Sequence, residues 1–205
     1  MADRPSVKGS LIAGTIEKAR KLLEEGRLSR PALEARLSPE ELALFDAPTS
    51  LSSWYDLDFY QRVAELMHDL EGGNPHEYFR GQGFARAQKL IDSGLYQQME
   101  YLGRSEVAGT LDPKSRFEAY GRDLRRLVTL SGSILNFSRW SVARDPDHDD
   151  RYRIEIRDAA AYPDFLAWGT EGFIDAMASS HGLAQLWRYE RLAPDFIVFR
   201  MLRPV

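Results

Sequence analysis

Cysteine is absent from the 205 residues. That removes disulfides, thiolate metal sites, iron–sulfur clusters and cysteine nucleophiles together. It is compatible with a reducing compartment, and a cytoplasmic location is the expectation. Long apolar runs are lacking too. The N-terminal stretch MADRPSVKGSLIAGTIEKAR holds only a few apolar residues in a row before Glu17, so neither a signal peptide nor a membrane span is expected. Charge of one sign is not in excess: 27 Lys and Arg stand against 31 Asp and Glu, for a net charge of −4. The chain therefore has no global basic field for nucleic acid, which is not expected as a partner. Repeats, heptads, low-complexity tracts and a convincing linker are also missing. With 43% apolar residues to build a core, the expectation is a single domain over residues 1–205, mostly helical over 1–132.

What is present is clearest from residue 133 onward. Residues 133–143 (SILNFSRWSVA) are rich in β-branched and aromatic types, and 151–158 (RYRIEIRD) alternate with period 2, the mark of a half-buried strand. Asp145 to Asp150 (DPDHDD) is turn chemistry. A helix is expected over 163–180, with Phe165, Gly169, Phe173, Ala176 and Met177 on one face. Strands follow at 185–192 and 196–202, joined through Ala193, Pro194 and Asp195. Strand, strand, helix, strand, strand makes an α+β fold: a helical layer packed on one face of a four-stranded antiparallel sheet. Tyr152, Ile154 and Ile156 form the core face of the second strand, and Arg153, Glu155 and Arg157 the wet one. A bulge near Ser138 would reconcile the two phases of the first strand.

Upstream, residues 1–8 read as a loose arm, and Ser10 as the N-cap of a helix closed by Gly26. Ser29 and Pro31 start a short helix. Ser38, Pro39, Glu40 and Glu41 start another, with the cap, the N1 proline and first-turn acids that a helix N-terminus favours. Residues 49–55 are a connector in which Trp54 plugs a gap between helices. Asp56 caps a helix over 57–70, which Gly72 ends. Asn74 and Pro75 open the next, with Phe79, Gly83, Ala87, Leu90 and Ile91 on one face. Its two interior glycines, Gly81 and Gly83, suggest close approach by neighbours, since each costs roughly 1 kcal/mol against alanine. Gly83 would meet the chain's own core and Gly81 a second copy, so a homodimer through this helix is expected. A short helix covers 95–102, a loop 103–111, and Asp112 and Pro113 open a helix reaching Leu130.

No residue cluster names a reaction. The Asp145–Asp150 run with His148 lacks the spaced ligands of a calcium loop and reads better as a solvated turn. His76 has no second histidine four residues on, so it reads as a surface residue, not zinc-binding; His181 sits at a helix C-terminus, where the dipole favours it. Gly81, Gln82 and Gly83 lie inside a helix with no strand before them, so they are no dinucleotide fingerprint. Arg116, Arg122, Arg125 and Arg126 make a solvated basic face. No catalytic, metal or cofactor site is expected, and the chain is not expected to be an enzyme. The aromatic supply allows an apolar cavity between helices and sheet, with Trp54, Tyr55, Phe59, Tyr96 and Trp168 as its expected lining.

Several short motifs carry a resemblance. Val7, Lys8, Gly9 and Ser10 open the first helix. Ser53, Trp54 and Tyr55 precede Phe59 and Tyr60; Asn74 and Pro75 lead to Gly81 and Gly83; Leu95 and Tyr96 follow, then Gly169, Gly172 and Trp187. In these the chain resembles the superfamily of Bet3-type TRAPP subunits, V4R small-molecule-binding domains and haem nitric-oxide-binding domains. More narrowly it resembles a bacterial family of about this length, abundant in myxobacteria. The resemblance implies a helical layer on an antiparallel sheet, dimerisation through helices and, in some members, a pocket for a small organic molecule. Departures bear on haem. Those relatives need an axial histidine on a mid-chain helix and a Tyr-x-Ser-x-Arg clamp. Here no histidine lies between His76 and His148, and the clamp is missing. The expected function is a non-enzymatic, sensor-like ligand-binding or regulatory module whose partner is a small apolar molecule. The alternative is a protein-interaction subunit with a closed core.

Overall fold

A computed structural model describes residues 4–94, 112–180 and 182–205. The expectations for residues 95–111 and for His181, Tyr96 among them, lie outside the described residues. Backbone contacts group the chain into two compact units. One is Met1–Pro75 with Ser133–Phe137, the other His76–Gly132 with Ser138–Val205.

In the first unit, β1 (Ser6–Lys8) pairs antiparallel with β2 (Trp54–Asp56). Around them lie α1 (Gly9–Glu24), α2 (Arg30–Glu34), α3 (Pro39–Asp46) and α4 (Leu57–Glu71). Ser29 and Ser38 cap α2 and α3 as their sequence context requires, and Ser38 with Glu41 completes a capping box. Asp56 accepts from the Asp58 N–H at the start of α4. Gly72 ends α4 at φ 71°, a left-handed position that suits glycine. Ile12, Ile16, Leu28, Leu33, Phe45, Phe59 and Met67 fill the core.

Four expectations are corrected here. Residues 6–8 are a strand and no loose arm, because they pair with β2 and Val7 bridges to Leu135. Helix α1 begins at Gly9, and no side chain caps it. Trp54 plugs nothing: on a two-stranded ribbon its side chain turns outward, 45% exposed, under the Lys8 ammonium at 4.1 Å. Residues 133–137 are no strand of the large sheet. They join the first unit, where the Asn136 side chain takes the Ser6 N–H at 2.7 Å.

The second unit holds α5 (Pro75–Asp92), α6 (Pro113–Gly132), β3 (Arg139–Asp145), β4 (His148–Arg157), a 3-10 turn, α7 (Asp164–Ser179), β5 (Trp187–Ala193) and β6 (Phe196–Met201). The sheet is antiparallel in the order β3-β4-β6-β5. The fold is α+β, with helices against one face of four strands. Tyr152, Ile154 and Ile156 are buried on that face, beside Ile197 and Phe199. Phe117 of α6 stacks on Tyr152 at 4.1 Å.

Two sheet expectations are corrected. The register shift lies between Arg144 and Asp145, not near Ser138, where the chain has yet to join the sheet. The face opposite the helices is not simply wet. Glu155 is only 6% exposed there and Val198 not at all. The guanidinium groups of Arg153 and Arg157 close over Glu155, and Arg157 continues over the Phe196 ring at 4.4 Å.

Helices α5 and α7 meet backbone to backbone. A Cβ on Gly83 would lie 1.8 Å from the Gly169 carbonyl oxygen, and one on Gly172 the same distance from that of Arg80. Gly81 has open space instead. Gly83→Ala or Gly172→Ala should therefore push the helices apart and cost about 2–3 kcal/mol in urea unfolding. Gly81→Ala should gain up to about 1 kcal/mol of helix propensity. Equal effects at positions 81 and 83 would contradict this packing.

Candidate functional site

Helix α7 is apolar nearly all round, yet it buries two carboxylates one turn apart. Glu171 is 6% and Asp175 1% exposed. Burying a carboxylate costs several kcal/mol unless every lone pair finds a donor. Edge strand β5 supplies donors. Leu202 N–H bonds to the Leu186 carbonyl, and in an antiparallel ladder such pairs alternate. Trp187 and Tyr189 therefore turn their N–H groups away from β6. Asp175 Oδ1 accepts from the N–H of Leu186 and of Trp187, each at 2.9 Å, and Glu171 Oε1 accepts from that of Tyr189 at 3.2 Å. An edge that would otherwise invite strand pairing is closed by side chains.

Helix α5 supplies the remaining partners. Arg80 bonds to Asp175 Oδ2, and His76 Nε2 lies 2.8 Å from Glu171 Oε2. His76 and Arg80 are four apart, as are Glu171 and Asp175, so two parallel rungs join the helix faces. The close glycine contacts let the backbones come near enough for the rungs to form. Trp168 completes the group. It is half-buried, stacked on Phe79 at 6.3 Å and met edge-on by the His76 ring at 5.7 Å. Tyr120 of α6 is buried too. Burial first, then the Asp175 charge, hold its phenol well above its ordinary value, so it stays neutral.

Another buried carboxylate, Asp145, anchors the far corner of the sheet. Asp145 accepts from the Asp147 N–H at 2.9 Å and from Arg200 Nη1 at 2.9 and 3.1 Å. This corrects the reading of that run as a wholly solvated turn. Burial pulls the Asp145 carboxyl upward, but the Asp147 amide and the Arg200 guanidinium outweigh it and hold the group below its ordinary value.

The aromatic residues expected to line a cavity are distributed as follows among the described residues. Tyr55 and Phe59 are buried in the first unit, 6.5 Å apart, and the Tyr55 hydroxyl accepts from the Ser50 N–H. Trp54 is exposed beside them, Trp168 belongs to the second unit, and Tyr96 lies outside the described residues. His76 is more than a surface residue, since it is bound to a buried acid. The signal that singles out the α5–α7 group is Glu171 and Asp175 at helical spacing within FLAWGTEGFIDAMA, where charge is out of place.

No family profile matches the sequence, and no curated protein matches it. Solved structures do. An H-NOX protein from K. algicida in its Fe(II) unliganded form superposes with a TM-score of 0.60 at 7% identity, over 95% of this chain and 95% of that one. The fold is that of the H-NOX proteins. A variant of the T. Tengcongensis H-NOX protein gives a TM-score of 0.54 at 12% identity, covering 97% and 99%. A structure described as modulating haem redox potential through porphyrin distortion gives 0.56 at 12%, covering 95% and 98%. At such identities the likeness is one of fold.

The donor set tests whether a histidine-held haem fits. His76 Nε2 faces Glu171, and His68 Nε2 lies 3.3 Å from the Gly73 carbonyl. His148 is exposed in the β3–β4 hairpin. Among the described residues no imidazole is offered to an apolar pocket, and no group of three His, Asp or Glu side chains is placed to hold a metal. The described residues do not fit a haem bound through histidine.

Asp175→Ala strands Arg80 and two N–H groups, and should cost about 3–5 kcal/mol by urea unfolding; a loss under about 1 kcal/mol would mean the site is solvated. For Asp145 the folded state has the lower pKa, so its contribution is full above the ordinary carboxylate value of 3.8 and fades as pH falls through the folded value. Asp145→Asn should be less stable than wild type at neutral pH, with the gap narrowing below about pH 4. A gap independent of pH in thermal scans would contradict the assignment.

Proposed function

We propose that the chain is a non-enzymatic, sensor-like ligand-binding or regulatory module that has kept the H-NOX fold without a histidine-held haem. The observation that carries this is the likeness in fold to H-NOX proteins over 95% or more of the chain, set beside a buried acid pair occupied in structural bonds. Glu171 and Asp175 are held by backbone amides, the His76 imidazole and the Arg80 guanidinium, which suits positioning better than proton transfer. The ligand class is a small apolar or aromatic molecule. Trp168, half-buried beside His76, is the residue of the expected lining best placed to report it. Among the described residues no helix is long and apolar enough to cross a membrane. The resemblance to V4R domains supports the same reading.

The second reading is a protein-interaction subunit with a closed core, favoured by the tight Phe117–Tyr152 stack and the Phe79–Phe165 contact at 5.4 Å. Titration of tryptophan fluorescence with fatty acids, aromatic compounds and haemin separates the two. The ligand-binding reading expects a saturable change with an apolar class, and no haemin Soret band that depends on His76. No response to any compound would favour the interaction subunit. A Soret band abolished by His76→Ala would overturn the haem-free reading.

A further inference from the structure

The two edges of the large sheet are treated differently. On β5 the outward N–H groups of Trp187 and Tyr189 end on α7 carboxylates. The bonding alternation set by the Leu186–Leu202 pair can be carried across the registers to the other edge. Phe199 and Ile197 face β4, so Ile154 and Ile156 face β6 and Arg153, Glu155 and Arg157 face β3. Arg139, Ser141 and Ala143 answer them. That leaves Trp140, Val142 and Arg144 with N–H and C=O groups directed off the edge, and among the described residues nothing bonds them. Helix α6 lies over the core side of this strand, with the Trp140 ring near Gly132, and among the described residues the in-plane direction is open.

The strand is complementary to its own reverse. Read antiparallel about Val142, RWSVARD places Arg139 opposite Asp145, Trp140 opposite Arg144 and Ser141 opposite Ala143. The three outward residues fall opposite one another, so every open N–H meets an open carbonyl. At each end of the seam a pair sets the Arg144 guanidinium against the Trp140 indole. We propose that β3 is a dimer seam at which a second copy of this chain adds its own β3, continuing the sheet across a two-fold axis. This seam supplies paired donors and acceptors, whereas the open space at Gly81 supplies none. A seven-residue seam is small for a stable interface, so the dimer is weak and concentration-dependent.

Sedimentation equilibrium of the full chain, at concentrations up to on the order of hundreds of micromolar, tests this. Wild type should show a monomer–dimer equilibrium. Val142→Pro removes an N–H that the β4 ladder does not use, so the variant should keep the wild-type circular dichroism and sediment as a monomer. Arg144→Glu removes the guanidinium that meets Trp140 across the seam, and should weaken dimerisation at least tenfold while leaving the fold intact. If Val142→Pro does not fold, Arg144→Glu alone decides. A wild type that is monomeric throughout, or a dimer unchanged by either folded variant, overturns the proposal.

Discussion

Two buried carboxylates on one apolar helix set the terms for the larger unit. Glu171 and Asp175 are stable there only if donors reach them from both sides. The amides of β5 come from the sheet, and His76 and Arg80 come from α5. Replacing such a group with a well-packed apolar side chain is often neutral or favourable. What the carboxylates provide is specificity: they fix the rotation of α7, the register of β5 against it and the side of α5 that faces inward. They also close a sheet edge without an extra strand.

The glycines follow from the same constraint. Arg80 and Asp175 can meet only if α5 and α7 approach closely, and Gly83 and Gly172 leave room for the Gly169 and Arg80 carbonyls. Substituting either should loosen the rungs as well as the packing, because the same contacts set both. The first unit uses commoner means: capped helices, the β1–β2 ribbon and an apolar interior.

Much of this was legible in the sequence. Period-2 alternation in RYRIEIRD gave β4 its inward face, and the turn at Pro194 and Asp195 placed the β5–β6 hairpin. Ser38 with Glu41 wrote its capping box in plain order. What was not legible depended on distant partners. Trp54 looks like core in any composition-based reading, but a two-stranded ribbon has an outer side and Trp54 is on it. Ser133–Phe137 has the residues of a strand, yet its backbone pairs with β1, some 130 positions away. Glu155 reads as wet by alternation, and only its flanking arginines make it buried. His76 looked like a surface residue because its acid partner lies 95 positions on.

Backbone amide hydrogen exchange at Trp187 and Tyr189 tests the central claim most directly. Both residues face away from β6 on an edge strand, where unpaired amides exchange quickly. If the α7 carboxylates hold them, they should be protected to the level of the interior β4 amides of Ile154 and Ile156. Exchange at the rate of open edge amides would mean that Glu171 and Asp175 do not close the sheet, and the account of α5, α7 and β5 as one clamped group would fail.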